Sequence, residues 1–185
     1  WFVTFSRFEG AQSWTLFALL CLWAVRLSCH IGMRFISKSK MDKRYQNMIN
    51  GFQKYKTMRI FLQVYLLQGL LSAVVLSPIL WFEQQNLGAE TLIFALGIAV
   101  FITGFVVETV ADWQLRRFKL KNSADVCNQG LWAWSRHPNY FGEVILWWGL
   151  FIATINSVTS LFFVLGPLLI TFLILKVSGI PMLEK

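Results

Sequence analysis

Apolar residues gather into four long stretches, roughly Trp14 to Phe35, Ile60 to Phe82, Leu92 to Trp113 and Tyr140 to Leu175. Runs of about 20 such residues match the length a helix needs to cross the hydrocarbon of a bilayer. The last stretch is long enough to hold two crossings. Asn156, Ser157, Thr159 and Ser160 interrupt its middle with the polar residues of a tight turn. The pattern predicts an all-α fold: a polytopic transmembrane bundle of about five spans joined by short connections, one membrane domain over residues 1–185. The chain begins at Trp1 rather than Met, so further chain is expected before it.

Composition removes the soluble alternative. Of the 185 residues, 56% are hydrophobic and 14% charged, where soluble chains average about 25% charged. The net charge of +8, from 17 Lys+Arg against 9 Asp+Glu, would suggest nucleic acid in a soluble protein. In a membrane chain it reports sidedness first. The segment Ser37 to Arg59 carries Lys38, Lys40, Lys43, Arg44, Lys54, Lys56 and Arg59 against Asp42. The segment Gln114 to Arg136 carries Arg116, Arg117, Lys119, Lys121 and Arg136 against Asp125, and the turn between, Glu83 to Glu90, has two acids and no base. Short basic loops stay cytoplasmic. Both basic segments are therefore expected in the cytoplasm, with the acidic turn and the Asn156 turn on the far side and Lys176 returning. Orientation and attraction to anionic membrane lipid account for the charge without nucleic acid. Which membrane, endoplasmic reticulum, bacterial inner membrane or another organelle's, stays open. Cys21, Cys29 and Cys127 show neither CxxC nor Cys/His ligand spacing, so no disulfide framework and no metal site is expected, and buried thiols are.

Ionisable residues inside the apolar stretches are functional candidates, because a charge in hydrocarbon costs several kcal/mol unless something holds it. Arg26 and His30 lie in the first stretch, Glu108 and Asp112 in the third, and Glu143 opens the fourth. On a helix turning 100° per residue, with Glu108 at zero, Asp112 falls at about 40°, Arg116 at about 80° and Lys119 at about 20°. Arg117 falls at about 180°, on the opposite side. One face thus runs from two acids to two bases over about 16 Å. A dinucleotide suits that face, since ribose hydroxyls seek carboxylates and phosphates seek Arg or Lys. The competing account is a set of i,i+4 ion pairs reaching toward the interface.

A second constellation is Ser135-Arg136-His137-Pro138-Asn139-Tyr140-Phe141-Gly142-Glu143. Pro138 suits the first turn of a helix, with Ser135 or His137 just before it. Asn139 and Glu143 are then i,i+4 on one face, and Gly142 between them permits close backbone approach. Arg136 and His137 add charge to a helix start, itself an anion site.

These strings, Glu-Thr-Val-Ala-Asp-Trp-Gln-Leu-Arg-Arg-Phe-Lys from Glu108 and Gly-Leu-Trp-Ala-Trp-Ser-Arg-His-Pro-Asn-Tyr from Gly130, resemble the steroid 5-alpha-reductase C-terminal family, in particular its DUF1295 branch. The resemblance extends from Trp23-x-x-Arg26-Leu27 to Ser178-Gly179-Ile180-Pro181-x-Leu183-Glu184. It implies a bundle of about seven spans whose C-terminal half holds NADPH in a pocket open to the cytoplasm. It also implies a cofactor stripe Asn-x-x-x-Asp-x-x-x-Arg-x-x-Arg, here Glu108, Asp112, Arg116 and Lys119, and an Asn-x-x-x-Glu pair, here Asn139 and Glu143. The face arithmetic selects the same six positions. Two depart from the family pattern: Glu stands for Asn at 108, and Lys for Arg at 119, losing the bidentate grip on phosphate. The family's ketone-polarising Tyr aligns near Trp23, three residues before Arg26, which makes Trp23 and Arg26 the substrate-side candidates. Its Gln-Glu pair would precede Trp1, and the C-terminal segment that closes over the cofactor in the family would follow Lys185.

The leading expectation is an integral-membrane NAD(P)H-dependent reductase, with NADPH favoured by Arg116 and Arg117, acting on a C=C bond of a sterol-, polyprenyl- or fatty-enone-like substrate. Glu108, Asp112, Arg116, Lys119, Arg136, His137, Asn139, Tyr140 and Glu143 would bind the cofactor, and Tyr140, His137 or a group outside the chain would give the proton. Two alternatives stay open. Isoprenylcysteine and phospholipid methyltransferases, which bind S-adenosylmethionine, share the Arg-His-Pro-x-Tyr-x-Gly core, and Glu184 can be read into their C-terminal acid motif. A non-catalytic membrane subunit would retain the fold without a catalytic acid.

Overall fold

The computed structural model describes residues 10–37, 58, 65–85, 89–121 and 125–177. Among them every regular element is helical. Helix α1 spans Ala11–Ser37, α2 Leu67–Gln84, α3 Thr91–Lys121 and α4 Pro138–Ala153. A short 3-10 turn, Gly130–Ala133, precedes α4. The fifth apolar segment runs as 3-10 helix over Val158–Val164, α-helix α5 over Leu165–Phe172, and π-helix over Leu173–Val177. Five apolar helical segments thus form where five apolar runs were read.

Three of them are long and apolar enough to cross a membrane unaided: Ala11–Met33, Thr91–Lys121 and Val158–Val177, with mean hydropathy 1.7, 2.2 and 2.5. Their outer surfaces carry large apolar side chains such as Val25, Leu92, Leu96, Phe162 and Phe172. Such a surface fits lipid as its solvent, because a water-soluble chain would have to bury it. The protein is an all-helical membrane protein. Helix α4, 16 residues long, reaches about 24 Å, short of the ~30 Å hydrocarbon thickness. Pro78 stands inside α2, where its missing N–H removes one helical hydrogen bond.

Contacts group the chain into two compact units, 15–74 and 1–14 together with 75–185. In the first, α1 presents Leu22, Val25 and Ile31 outward. Cys21 and Cys29 are exposed there as well, so the expectation of buried thiols holds only for Cys127. The reason is the solvent: a thiol behaves as a small apolar group, and on an apolar helix it needs no protein cover.

The second unit is organised by α3 and α4, which lie antiparallel with Gly97 facing Ala153, Phe101 facing Gly149, and Gly104 and Glu108 facing Gly142. The buried positions of α3, Gly97, Phe101, Gly104, Glu108 and Ala111, recur every three to four residues and form one stripe. Small residues let the two backbones approach, which is how membrane helices gain dispersion contacts without a hydrophobic drive between them. A methyl at Gly142 would stand 2.6 Å from the Glu108 backbone nitrogen and 2.8 Å from the Gly104 carbonyl. The polar break between α4 and the next segment is closed locally: Ser160 Oγ donates to Asn156 Oδ1 at 2.7 Å and accepts from the Asn156 backbone N–H at 3.3 Å. Trp148 Nε1 then donates to Thr171 Oγ1 at 3.2 Å, and Trp81 stacks on Phe163 at 5.0 Å, joining α4 and the end of α2 to the fifth segment. At the N-terminal end of α3, Gln12 clamps Ala89, accepting from its N–H at 2.9 Å and donating to its carbonyl at 3.1 Å.

Candidate functional site

The segment before α4 is tied to α3 at three points. Gly130 adopts φ +61°, a left-handed conformation that favours glycine, and a Cβ there would stand 2.6 Å from Gln114 Nε2. The Leu131 N–H donates to Gln114 Oε1 at 3.0 Å, and Trp132 Nε1 donates to the Ala111 carbonyl at 2.9 Å. The chain then enters α4 with His137 as the N-cap position and Pro138 in the first turn. Ser135 Oγ accepts from the His137 N–H at 3.2 Å, and the His137 carbonyl accepts from the Phe141 N–H at 3.1 Å. Both expected roles, Pro138 opening the helix and His137 just before it, are realised.

This docking brings the two motifs together. Asn139 Nδ2 donates to Asp112 Oδ1 at 3.3 Å, across 27 residues of sequence. With its amide N–H₂ turned to Asp112, Asn139 leaves Oδ1 buried and, among the described residues, without a hydrogen-bond partner. Exposure rises along the α3 stripe. Glu108 is 4% exposed against Gly142, Asp112 is half-buried, and Arg116 and Lys119 are exposed. The acids therefore sit within the helix pair and the bases at its open end. On the α4 side, His137, Asn139, Tyr140 and Glu143 are half-buried and Arg136 is exposed. The His137 and Tyr140 rings stack with centroids 5.6 Å apart.

Arg117 turns the other way, with its guanidinium over the Trp113 ring at 5.3 Å from the centroid, as the helical angles predict. Trp23 and Arg26 lie one turn apart on α1, both half-buried, in the 15–74 unit. Among the described residues no three His, Cys, Asp or Glu side chains are grouped to hold a metal ion.

The family model for DUF1295, described as a protein of unknown function, matches residues 1–185. The chain belongs to the DUF1295 family. No curated protein and no solved structure matches it.

Three residues that organise this DUF1295 site escaped the sequence reading: Gln114, Gly130 and Trp132. The reading followed charge, and Gln114 stands in a charged helix end where an amide attracts no notice. The available signal was Gly130 itself, a turn residue at the head of the aromatic run Trp132 to Trp134.

Proposed function

We propose that this chain is an integral-membrane reductase that uses NADPH to reduce a C=C bond conjugated to a carbonyl in a lipophilic substrate, with the cofactor site on the cytoplasmic side. The observation that carries the reading is the Asn139 to Asp112 hydrogen bond, which joins the two motifs selected independently by helical angle and by resemblance. The donor set fits a dinucleotide. Asp112 and Glu143 offer carboxylate acceptors for ribose hydroxyls, and the buried Asn139 Oδ1 offers a third acceptor that meets no donor among the described residues. Arg116 and Lys119, about one and two turns beyond Asp112, offer exposed cations for phosphates, with Arg136 a further one at the start of α4.

NADPH, when bound, supplies a hydride to one carbon of the double bond, and the other carbon must then take a proton. Tyr140 and His137, stacked beside Asn139, are the proton-bearing groups of the site, and one of them donates that proton. Glycine packing of α3 on α4 fixes Asp112 against Asn139, so the cofactor meets a preformed surface. A site opening between membrane helices admits a lipophilic substrate from the bilayer and excludes water.

Thermal unfolding of the detergent-solubilised protein with NADPH, NADH or S-adenosylmethionine tests the reading. A ligand at 100 times its dissociation constant stabilises by about 2.7 kcal/mol. NADPH should raise the midpoint, and Glu143→Gln should abolish the rise. Stabilisation by S-adenosylmethionine alone would make the chain a methyltransferase, and no response to any of the three would point to a structural subunit.

A further inference from the structure

The face of α3 opposite the Glu108 stripe carries a second cleft, of about 490 Å³, which the reductase reading leaves unused. Its wall includes Trp113, Gln114, Arg117, Phe118 and Lys121 from the basic end of α3, with Gly130 from the turn before α4 across from them. Several properties converge. The lining contains two cations and no acid. Arg117 is held over the Trp113 ring, which gives its guanidinium a defined position instead of leaving it to sweep through solvent. Gln114 is fixed by the Leu131 N–H, so the polar wall is built before any ligand arrives. The cleft also sits where α3 leaves its apolar stretch, at Trp113, the level at which indole rings mark a membrane interface.

We infer that this cleft binds a phosphate-bearing anion, its phosphate taken by Arg117 and Lys121 and its neighbouring polar atoms by Gln114. Guanidinium matches phosphate oxygens two at a time, and an ammonium adds a mobile second charge. The volume exceeds that of a bare phosphate and lies within the range of small-molecule sites. A glycerophosphate-sized group fills it better. Such a group reaches the cleft either as an anionic phospholipid headgroup, its acyl chains lying along the apolar surface of α3, or as a soluble phosphate ester. The position at the interface is suited to the first source. The inference does not depend on what the Glu108 face binds.

Native mass spectrometry of the full chain, released from nanodiscs of phosphatidylcholine containing phosphatidic acid, reads retained lipid directly. Phosphatidic acid should be retained in preference to phosphatidylcholine. The double variant Arg117→Gln/Lys121→Gln should weaken retention about thirtyfold, the effect of two interfacial charges. The charge-matched variant Arg116→Gln/Lys119→Gln, on the other face of the same helix, should retain the lipid. All four side chains are exposed, and circular dichroism of both variants checks the helices. Stabilisation by soluble glycerol 3-phosphate without lipid retention, lost only in the first variant, would support the cleft with the soluble source. Equal losses in the two variants, or no preference for phosphatidic acid, would overturn the inference and leave only general attraction to a basic helix end.

Discussion

Glu83 ends the apolar run of α2, the residue 8% exposed and its Oε1 without a hydrogen-bond partner among the described residues. Burial pushes its pKa above the ordinary value of 4.5, and a hydrogen bond with Ser13, itself buried, opposes part of that rise. A folded-state pKa above the unfolded one means the folded protein holds the extra proton. The contribution of this carboxyl to stability is therefore fully present below 4.5 and is lost as pH rises through the folded value. Glu83→Gln removes the charge and should raise the thermal midpoint at pH 7.5 by about 2–4 °C, as about 1 kcal/mol does in a chain of this size. That advantage should shrink as the pH is lowered toward 4.5. A gain independent of pH would show that desolvation of the carboxylate is not its source. Gly142 poses the steric counterpart, because any Cβ there meets the backbone of α3 and not a movable side chain. Gly142→Ala should lower the unfolding free energy by about 1–3 kcal/mol through overpacking. Phe141→Ala, beside it but 60% exposed, is the control, and equal effects would mean that α3 and α4 separate without strain.

Helix α3 turns different side chains to its two faces, and a single period of 100° per residue is enough to sort them. Arg116 and Arg117 are adjacent in sequence, yet only Arg117 covers Trp113 and lines the second cleft. Arg116→Ala should weaken stabilisation by NADPH about tenfold or more, the scale of one charged hydrogen bond, whereas Arg117→Ala should leave it unchanged. Titrated thermal shifts compare the two, and equal losses would end the argument from helical faces. The stripe and the close approach at Gly142 were legible because both depend on spacing within one helix. The contacts of Gln114 with Leu131 and of Trp132 with Ala111 were not, because they join residues 17 and 21 apart that no periodicity relates. Cys21 and Cys29 were misread for a different reason: a rule drawn from water-soluble cores was applied to helices whose outer surface is apolar. The fifth segment was legible as a helix but not in its winding. Pro167 lacks the N–H that would bond the carbonyl of Phe163, and the 3-10 stretch ends at Val164, just before α5 begins.

At the scale of the molecule, charge and length constrain orientation together. The 31 residues of α3 extend about 46 Å, against about 30 Å of hydrocarbon, so a spanning α3 places its two ends in water on opposite sides. Glu90 immediately precedes its first residue, and Arg116, Arg117, Lys119 and Lys121 crowd its last turns. Retention of basic ends in the cytoplasm then orients the whole chain, because α4 returns antiparallel from the same side that α3 reaches. The Asp112 to Asn139 pair and the cleft around Arg117 both lie toward that basic end, so one orientation puts both on the same side of the membrane. In a background with Cys21, Cys29 and Cys127 replaced by serine, a membrane-impermeant maleimide reads the outcome at Asn128→Cys and Glu90→Cys, both exposed native positions. Inverted vesicles, cytoplasmic face outward, should label Asn128→Cys and leave Glu90→Cys unlabelled until detergent is added. The reverse pattern would put the basic end of α3 on the non-cytoplasmic side and overturn the proposed cytoplasmic cofactor site. Labelling of both from one side would mean that α3 does not span, and the argument from its length would fail with it.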